Sequence, residues 1–229
     1  MMTLSREKSR IEFNYKLKGE DLVFLDSIKY LGATITNNLH WGKHIDENCA
    51  KAYRILGMLK RNLAACPQAV KLQAYKGLVR PVLEYAGAAW DPHQAYLQEK
   101  LEAVQKSAAR FISSNYCKDP GSMTQILQDL DLVSLKERRR QSRLILFCKG
   151  INNEASLPTK MLVTPVRKTK NMHEQPFRQI STSCDAYKYS FMPNTIRDWN
   201  CVPSATISHI QAAANPVKSF AAIVREGKI

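Results

Sequence analysis

Apolar and polar residues alternate near the start of the chain, and this pattern predicts β structure. The alternation runs from Arg10 to Leu17 with the two-residue period of a half-buried strand. Lys18-Gly19-Glu20 supplies a turn, Leu22 to Leu25 a second short strand, and Ile28 to Thr36 a third extended stretch that is broken by Gly32. Three short strands cannot bury both faces alone, so we expect this β piece to lean on another part of the chain.

A helical period of apolar residues begins after Trp41. The first predicted helix, Lys43 to Leu63, places its large apolar side chains on one face and three cations, Lys43, Arg54 and Arg61, on the opposite face. The apolar face consists of Ile45, Cys49, Ala52, Ile55, Leu56, Leu59 and Leu63.

The same period predicts further helices up to about Lys149. A second helix opens at Pro67 and runs to about Tyr85, with Pro81 as the expected kink. The remaining helices are one of about Gln94 to Ser114 with a packing seam (Leu97, Leu101, Val104, Ala108 and Phe111), a short one over Met123 to Leu130, and a longer one capped by Ser134 that ends near Gly150.

The last third of the chain is less regular. Asn152 to Ser183 is polar, lacks a sustained period and is predicted to be a loop. An aromatic patch, Tyr187 to Phe191, precedes a short helix around Thr195 to Asn200, and a final helix covers Pro216 to Arg225. We therefore predict a mainly α protein with a small N-terminal antiparallel β piece (α+β): a helical bundle followed by a loop-rich helical C-terminal region.

The net charge of the chain indicates what kind of partner it binds. The 229 residues are 45% hydrophobic and 24% charged, as in globular proteins, but 34 Lys and Arg face only 20 Asp and Glu, which gives a net charge of +14. Such a surplus favours a polyanion such as nucleic acid or an acidic lipid surface, and the alternative is that it serves solubility. The apolar runs are too short for a membrane span and the N-terminus lacks the apolar core of a secretory signal. We expect an intracellular protein, in the nucleus or the cytoplasm, without a membrane partner.

The sequence holds no recognisable catalytic or metal motif. The six Cys are 17 to 51 residues apart, so the close pairs of a structural zinc site are missing, and we expect reduced and mostly buried thiols. None of the nine Asp is adjacent to another. His44 and Asp46 could hold a metal ion, but a capping or surface role is the simpler interpretation because no further ligand is in view.

Basic and aromatic clusters are the remaining candidates for function. The stripe of Lys43, Arg54 and Arg61 could follow phosphates or could be a solvated helix face. Lys136 to Arg143 holds five cations and one Glu, which favours nucleic acid. The loop cations Arg167, Lys168, Lys170 and Arg178 could contact a backbone or be idle. The aromatic patch could stack bases, although its place before Trp199 is more typical of local core.

Short stretches that follow one another over residues 11 to 226 point to a family. They are Ile28–Ile35 (IKYLGATI), His40-Trp41 with His44-Ile45 and Ala50–Ala52, Leu78–Ala86 (LVRPVLEYA) with Trp90–Pro92, Leu101–Lys106 with Ala109–Phe111, Leu135 with Arg138-Arg139, Tyr187–Phe191, and Asn194–Asn200. In this order and number they resemble the C-terminal part of reverse transcriptases from non-LTR (LINE-type, jockey-like) retrotransposons.

The resemblance implies roles for parts of the chain. Tyr30, Leu31 and Gly32 would form the primer grip, whose turn backbone steadies the primer's 3′ end, and residues 1–40 would be the end of the palm. Residues 41–92 would be the thumb, which holds the template–primer duplex by its phosphates. Residues 93–151 would be a helical C-terminal region, 152–186 a polar basic loop, and 187–229 the aromatic patch with terminal helices.

The resemblance also implies what this chain does not do. The family's catalytic Asp pair and its Mg²⁺ lie upstream of the strand that carries Tyr30, so we expect a fragment of an RNA-directed DNA polymerase without a cofactor of its own and without polymerase activity. Its expected partners are RNA or an RNA–DNA duplex, bound through phosphates, and the rest of an element-encoded reverse transcriptase. The expected phosphate contacts are Lys43, Lys51, Arg54, Arg61, Arg138, Arg139, Arg140 and Arg143.

A hypothesis from another class stays open. The chain could be a translated relic or a protein-interaction module with no role in nucleic-acid binding, because a β piece with open edges and a bare apolar face favours pairing with another chain.

Overall fold

The predicted mainly α class with a small β piece is confirmed. The computed structural model describes residues 2–4, 13–117, 119–166 and 173–227; it is 58% helical and has two small antiparallel two-stranded sheets. The strands are β1 (Lys16–Leu17), β2 (Glu20–Asp21), β3 (Ser27–Tyr30) and β4 (Ala33–Thr36). The α-helices are α1 (Gly42–Asn62), α2 (Gln68–Ala74), α3 (Arg80–Glu84), α4 (Gly87–Trp90), α5 (Ala95–Ser113), α6 (Ser122–Asp129), α7 (Leu135–Ile151), α8 (Asp185–Lys188), α9 (Phe191–Asn200), α10 (Ser204–Ala212) and α11 (Pro216–Arg225).

The chain forms two compact units that interleave along the sequence. Unit 1 comprises Met1–Tyr85 and Gln94–Asp131, and unit 2 comprises Ala86–His93 and Leu132–Ile229. This division differs from the five segments expected from the sequence, because residues 93–151 contribute helices to both units. It also gives α4, which precedes α5 in the chain, to the unit that holds α7.

The N-terminal strands of unit 1 are shorter than the sequence predicts. Residues 10–12 of the predicted first strand lie outside the described residues, and β1 covers only its last two residues. The predicted second strand, Leu22 to Leu25, is not a strand, because the turn at Lys18 and Gly19 pairs Leu17 directly with Glu20. The apolar side chains of this part face solvent rather than half-buried positions: Phe13 and Leu17 are each 62% exposed.

The third predicted stretch folds back on itself as a hairpin. β3 and β4 pair antiparallel with Tyr30 opposite Ala33. Leu31 and Gly32 form the turn with φ values of 45° and 83°, the left-handed conformation that two-residue hairpin turns require at both positions. Gly32 therefore ends one strand and starts the next, where the sequence suggested a break within a single extended stretch.

Helix α1 packs against α5 and α3 through the face that its period predicts. Ile45, Ala52, Leu56 and Leu59 are buried in this core. The predicted seam of α5 is also confirmed, since all of its five members are buried: Leu97, Leu101, Val104, Ala108 and Phe111. The core of unit 1 thus lies along the apolar seam of two long helices.

Pro81 is accommodated in a helix that runs from α2 to α3. A π-helical turn, Tyr75–Val79, joins the two helices directly ahead of Pro81. Since proline has no N–H and its ring crowds the preceding turn, the widened turn accommodates it where a regular helix would be strained. The expected irregularity is real, but it occupies the turn before Pro81.

Unit 2 is built around three aromatic rings in its core. The ring centroid of Trp199 on α9 lies 5.4 Å from those of Phe147 on α7 and Phe220 on α11, all at edge-to-face angles. Phe191 packs against the same cluster, so the core interpretation of this end of the aromatic patch is confirmed for Phe191 and Trp199. The predicted cap is present too: the Glu137 N–H donates to Ser134 Oγ over 3.2 Å.

The predicted loop contains one short 3₁₀ turn, Thr159–Met161, among its described residues. Its later part is anchored to α9, because the Trp199 indole N–H donates to the Gln175 carbonyl and the Phe177 N–H donates to Asn200 Oδ1. Of the four loop cations considered as backbone contacts, Arg167, Lys168 and Lys170 lie outside the described residues, and Arg178 is exposed. Helix α10 is an element that the sequence did not predict.

Candidate nucleic-acid interface

The outward face of α1 carries cations along most of its length. Lys43, Lys51, Arg54 and Arg61 are all exposed. At 100° per residue, Arg54 and Arg61 lie within about 20° of Lys43 around the helix axis, and the stripe from Lys43 to Arg61 is about 27 Å long at about 1.5 Å per residue. That length matches about eight base-pair steps of a duplex at about 3.4 Å each.

The charge of this stripe is concentrated toward its C-terminal end. No ion pair joins Lys51, Arg54 or Arg61 to a carboxylate within the described part of the chain. Glu47, however, lies one helical turn from both Lys43 and Lys51 and reduces the positive potential there. The positive charge of Arg54 and Arg61 is therefore the least reduced by a neighbouring carboxylate within the stripe.

The β3–β4 hairpin is fixed to the start of α1 by a buried histidine. The Thr34 N–H donates to Nδ1 of His44 over 3.1 Å, and the Thr34 hydroxyl donates to Glu47 over 2.6 Å. Burial lowers the pKa of His44, and Lys29 adds to this, while Glu47 opposes it. His44 therefore accepts as a neutral imidazole, which holds the hairpin at a set position beside the cation stripe.

His44 and Asp46 face different partners, which removes them as a candidate metal pair. The Asp46 carboxylate accepts a hydrogen bond from the Lys100 ammonium over 2.7 Å, whereas His44 is 1% exposed beneath the hairpin. Asp129 and Asp131, the closest pair of Asp in the sequence, are both exposed at the end of α6. In the described residues, no group of three or more His, Cys, Asp or Glu side chains is arranged to hold a metal ion.

The hairpin tip presents the residues for which the family resemblance implies a primer-grip role. Tyr30 is 62% and Leu31 75% exposed. The Tyr85 hydroxyl donates to the Leu31 carbonyl over 3.1 Å, and a Cβ at Gly32 would lie 3.0 Å from the Tyr85 ring. Tyr85, at the end of α3, thus fixes the backbone of the turn while Tyr30 and Leu31 remain accessible.

Two of the predicted phosphate contacts are wrong. Arg139 and Arg143 are 1% and 4% exposed inside unit 2. Arg139 Nε donates to Asp91 over 2.7 Å, and Arg143 lies 3.1 Å from Asp91 and 2.9 Å from Asp198. These guanidiniums cannot reach a phosphate, because their charge is already balanced by two carboxylates in the interior.

The rest of the basic run is also less open than a solvated helix face. Arg138 and Arg140 are half-buried, and Arg140 donates to Glu137 over 2.9 Å. The basic run of α7 therefore mainly forms ion pairs within unit 2, with Asp91 directly after α4 and with Asp198 on α9. The Arg139 guanidinium also lies 5.9 Å from the centroid of the Trp90 ring.

A polar cleft lies beside the cation stripe and was not predicted from the sequence. Its volume is about 220 Å³, and it lies where the open end of the hairpin meets the start of α1. Lys43 takes part in it by donating to Ser27 Oγ over 2.6 Å. The lining residues are Asp26, Ser27, Thr36, Asn37, Asn38, His40 and Lys43. Because a folded turn brings them together, no sequence spacing reveals the cleft.

All six cysteines are free thiols, but only Cys49 and Cys148 are buried. The expectation that most of them are buried is therefore wrong, since Cys117 and Cys201 are exposed. Burial raises the pKa of Cys49 and of Cys148 to about 11 in each case, so these two thiols are unreactive at neutral pH.

Comparison with known proteins identifies no relative. No protein-family model matches the chain, and neither curated proteins nor solved structures include a significant match to it. Among the described residues, no helix has the length and apolar content needed to cross a membrane.

Proposed function

We propose that this chain is a thumb-like, non-catalytic part of a LINE-type reverse transcriptase and that unit 1 binds an RNA–DNA duplex through its phosphates. The observation that carries the proposal is the outward face of α1, on which Lys51, Arg54 and Arg61 are exposed without a carboxylate partner among the described residues. Phosphate contacts of this kind position a duplex without reading its sequence. The resemblance of the β3–β4 hairpin, with Tyr30, Leu31 and Gly32, and of the following helices to the family's primer grip and thumb supports the same assignment.

The hairpin tip adds a second contact in this proposal. Tyr30 and Leu31 are exposed on a turn that Tyr85 holds from behind. A fixed turn with the exposed residues Tyr30 and Leu31 suits the end of a strand that approaches from the side of α1. The hairpin is tied to α1 through Thr34 and His44, so the two contact surfaces keep one geometry.

The test is a titration of a labelled RNA–DNA hybrid by fluorescence anisotropy at several salt concentrations. We expect affinity to fall steeply with salt, and replacing Lys43, Arg54 and Arg61 together with Ala to reduce the log–log slope by about 0.9 per lost contact. The matched control replaces three exposed cations of unit 2, Lys149, Lys218 and Arg225, with Ala. If the control variant lowers duplex affinity as much as the α1 variant does, the loss of affinity reflects the net charge of the protein and not a contact with α1.

Primer extension on the same samples tests the non-catalytic part of the proposal. We expect no extension with Mg²⁺ and all four deoxynucleotides, even where the hybrid is bound. Extension would show that the chain has a catalytic centre that its Asp residues do not suggest.

A protein-interaction module is the second candidate, and the surface of the N-terminal segment favours it. Large apolar side chains are exposed there within twenty residues of one another. They are Phe13, Tyr15, Leu17, Val23, Phe24, Leu25, Ile28, Tyr30 and Leu31. Surfaces of this kind mark interaction sites or aggregation hazards. Light scattering coupled to gel filtration tests it: a stable monomer that binds the hybrid favours the first proposal, and self-association without binding favours the second.

A further inference from the structure

Unit 2 contains a pair of stacked rings outside its core. The His93 imidazole and the Tyr189 phenol have centroids 4.2 Å apart and planes inclined by 7°. Tyr189 is half-buried, whereas His93 is exposed. Tyr189 covers one face of the imidazole, and His93 as a whole residue stays exposed, so the stack lies at the surface of unit 2.

Both rings stand on anchored backbone. His93 follows Asp91, whose carboxylate accepts from Arg139, and Pro92, which is buried. The Tyr189 N–H donates to the Asp185 carbonyl over 2.9 Å at the end of α8. The stack is therefore formed before any ligand arrives, and a third ring could join it without the entropy cost of ordering these side chains.

The unit that holds the stack is basic, and one cation lies beside the rings. The Lys188 ammonium lies 5.3 Å from the centroid of the Tyr189 ring. The two segments of unit 2 hold 16 Lys and Arg against 7 Asp and Glu, so this unit carries most of the net charge of +14. No hydrogen bond engages the His93 ring nitrogens within the described residues, so they are available to a ligand.

We propose that His93 and Tyr189 form a stacking site for an unpaired nucleobase of single-stranded RNA or DNA. An aromatic face with hydrogen-bonding nitrogens at its edge and an ammonium beside it matches a base joined to a phosphate backbone. An aromatic peptide would also fit the ring face, but it lacks the negative charge that Lys188 and the positive charge of unit 2 favour. The proposal does not depend on α1, since both rings and Lys188 belong to unit 2.

The test compares two single-stranded RNA probes of equal length, one a labelled oligouridine and the other its abasic counterpart with the same sugar–phosphate backbone. The full chain should bind the base-containing probe more tightly by at least about fivefold, the smallest effect typical of one stacked base. His93→Ala should remove this preference and leave the affinity for the abasic probe unchanged. His93→Phe should restore it, because the ring face returns without the nitrogens.

Two controls separate this inference from the proposed function. His209→Ala removes another exposed histidine of unit 2 and should have no effect. The α1 triple variant should lose duplex affinity but keep the preference for bases over abasic RNA. Equal binding of the two probes, an unchanged preference in His93→Ala, or binding of a tyrosine-rich peptide in place of RNA would each overturn the stacking site, whatever happens with the duplex.

Discussion

The hydroxyl of Tyr85 donates a hydrogen bond to the carbonyl oxygen of Leu31 over 3.1 Å, which ties the end of α3 to the tip of the β3–β4 hairpin. The same phenol ring lies so close to Gly32 that an added Cβ would be 3.0 Å from its Cε1 atom. Glycine at this position therefore meets two requirements at once: a φ of +83° and the close approach of a ring.

Gly32→Ala should destabilise the protein more than an ordinary glycine substitution in the same conformation. The φ strain costs about 1–2 kcal/mol, and the contact with Tyr85 adds to it. The matched control is Gly121→Ala, because Gly121 has a φ of +86° with nothing within 4 Å of its would-be Cβ. The free energy of unfolding is measured by urea denaturation. In a Tyr85→Ala background the excess cost at Gly32 should vanish, and an equal cost in both backgrounds would refute the contact.

A second prediction concerns the buried charges of unit 2. Arg143→Met leaves Asp198 and Asp91 with less compensation in a nearly closed environment, so we expect a loss of about 3–5 kcal/mol. Lys149→Met, an exposed position on the same helix, should change the free energy of unfolding by less than about 0.5 kcal/mol. Urea denaturation followed by circular dichroism distinguishes the two variants, and a small effect of Arg143→Met would mean that the network is dispensable.

The buried position of these arginines could not be predicted from the sequence, in contrast to the buried faces of the long helices in unit 1. The periods of α1 and α5 gave their buried faces correctly, because apolar spacing reports directly which side of a helix meets the core. The basic run of α7 has no such signal. Arg139 and Arg143 can be buried because the carboxylates of Asp91 and Asp198 compensate their charge. These partners are 48 and 55 residues away in the chain.

The candidate interface likewise has features that the sequence predicts and features that it does not. The outward position of Lys43, Arg54 and Arg61 follows from helical geometry and could be predicted. The opposing charge of Glu47, four residues from Lys43 and from Lys51 on one helix, follows from the same geometry. The support of the hairpin by His44 and the stack of His93 on Tyr189 depend on how distant parts of the chain meet. Local spacing holds no record of such contacts, so only the structure reveals them.

The stability of the hairpin on α1 should depend on pH. Because burial lowers the pKa of His44 below its ordinary value of 6.5, the unfolded chain takes up this proton first as the pH falls. The contribution is complete above about pH 6.5 and is lost as the pH falls from there toward the lowered pKa, so the free energy of unfolding decreases with acid. His44→Gln keeps an acceptor for Thr34 but cannot titrate, and its unfolding should be less pH-sensitive than that of the natural protein below about pH 6.5. Parallel pH profiles for both proteins would contradict this role.

Glu47 offers the sharpest test of how charge is distributed along α1. Its carboxylate lies one turn from Lys43 and Lys51, and its Oε2 accepts from the Thr34 hydroxyl. Glu47→Gln keeps an oxygen for Thr34 and removes the negative charge, so affinity for an RNA–DNA hybrid should rise by about two- to fourfold at low salt and less at high salt. Glu99→Gln changes the net charge equally at an exposed position of α5 and serves as the control. If both substitutions raise the affinity equally, the hybrid responds to total charge; if only Glu47→Gln does, it lies against the outward face of α1.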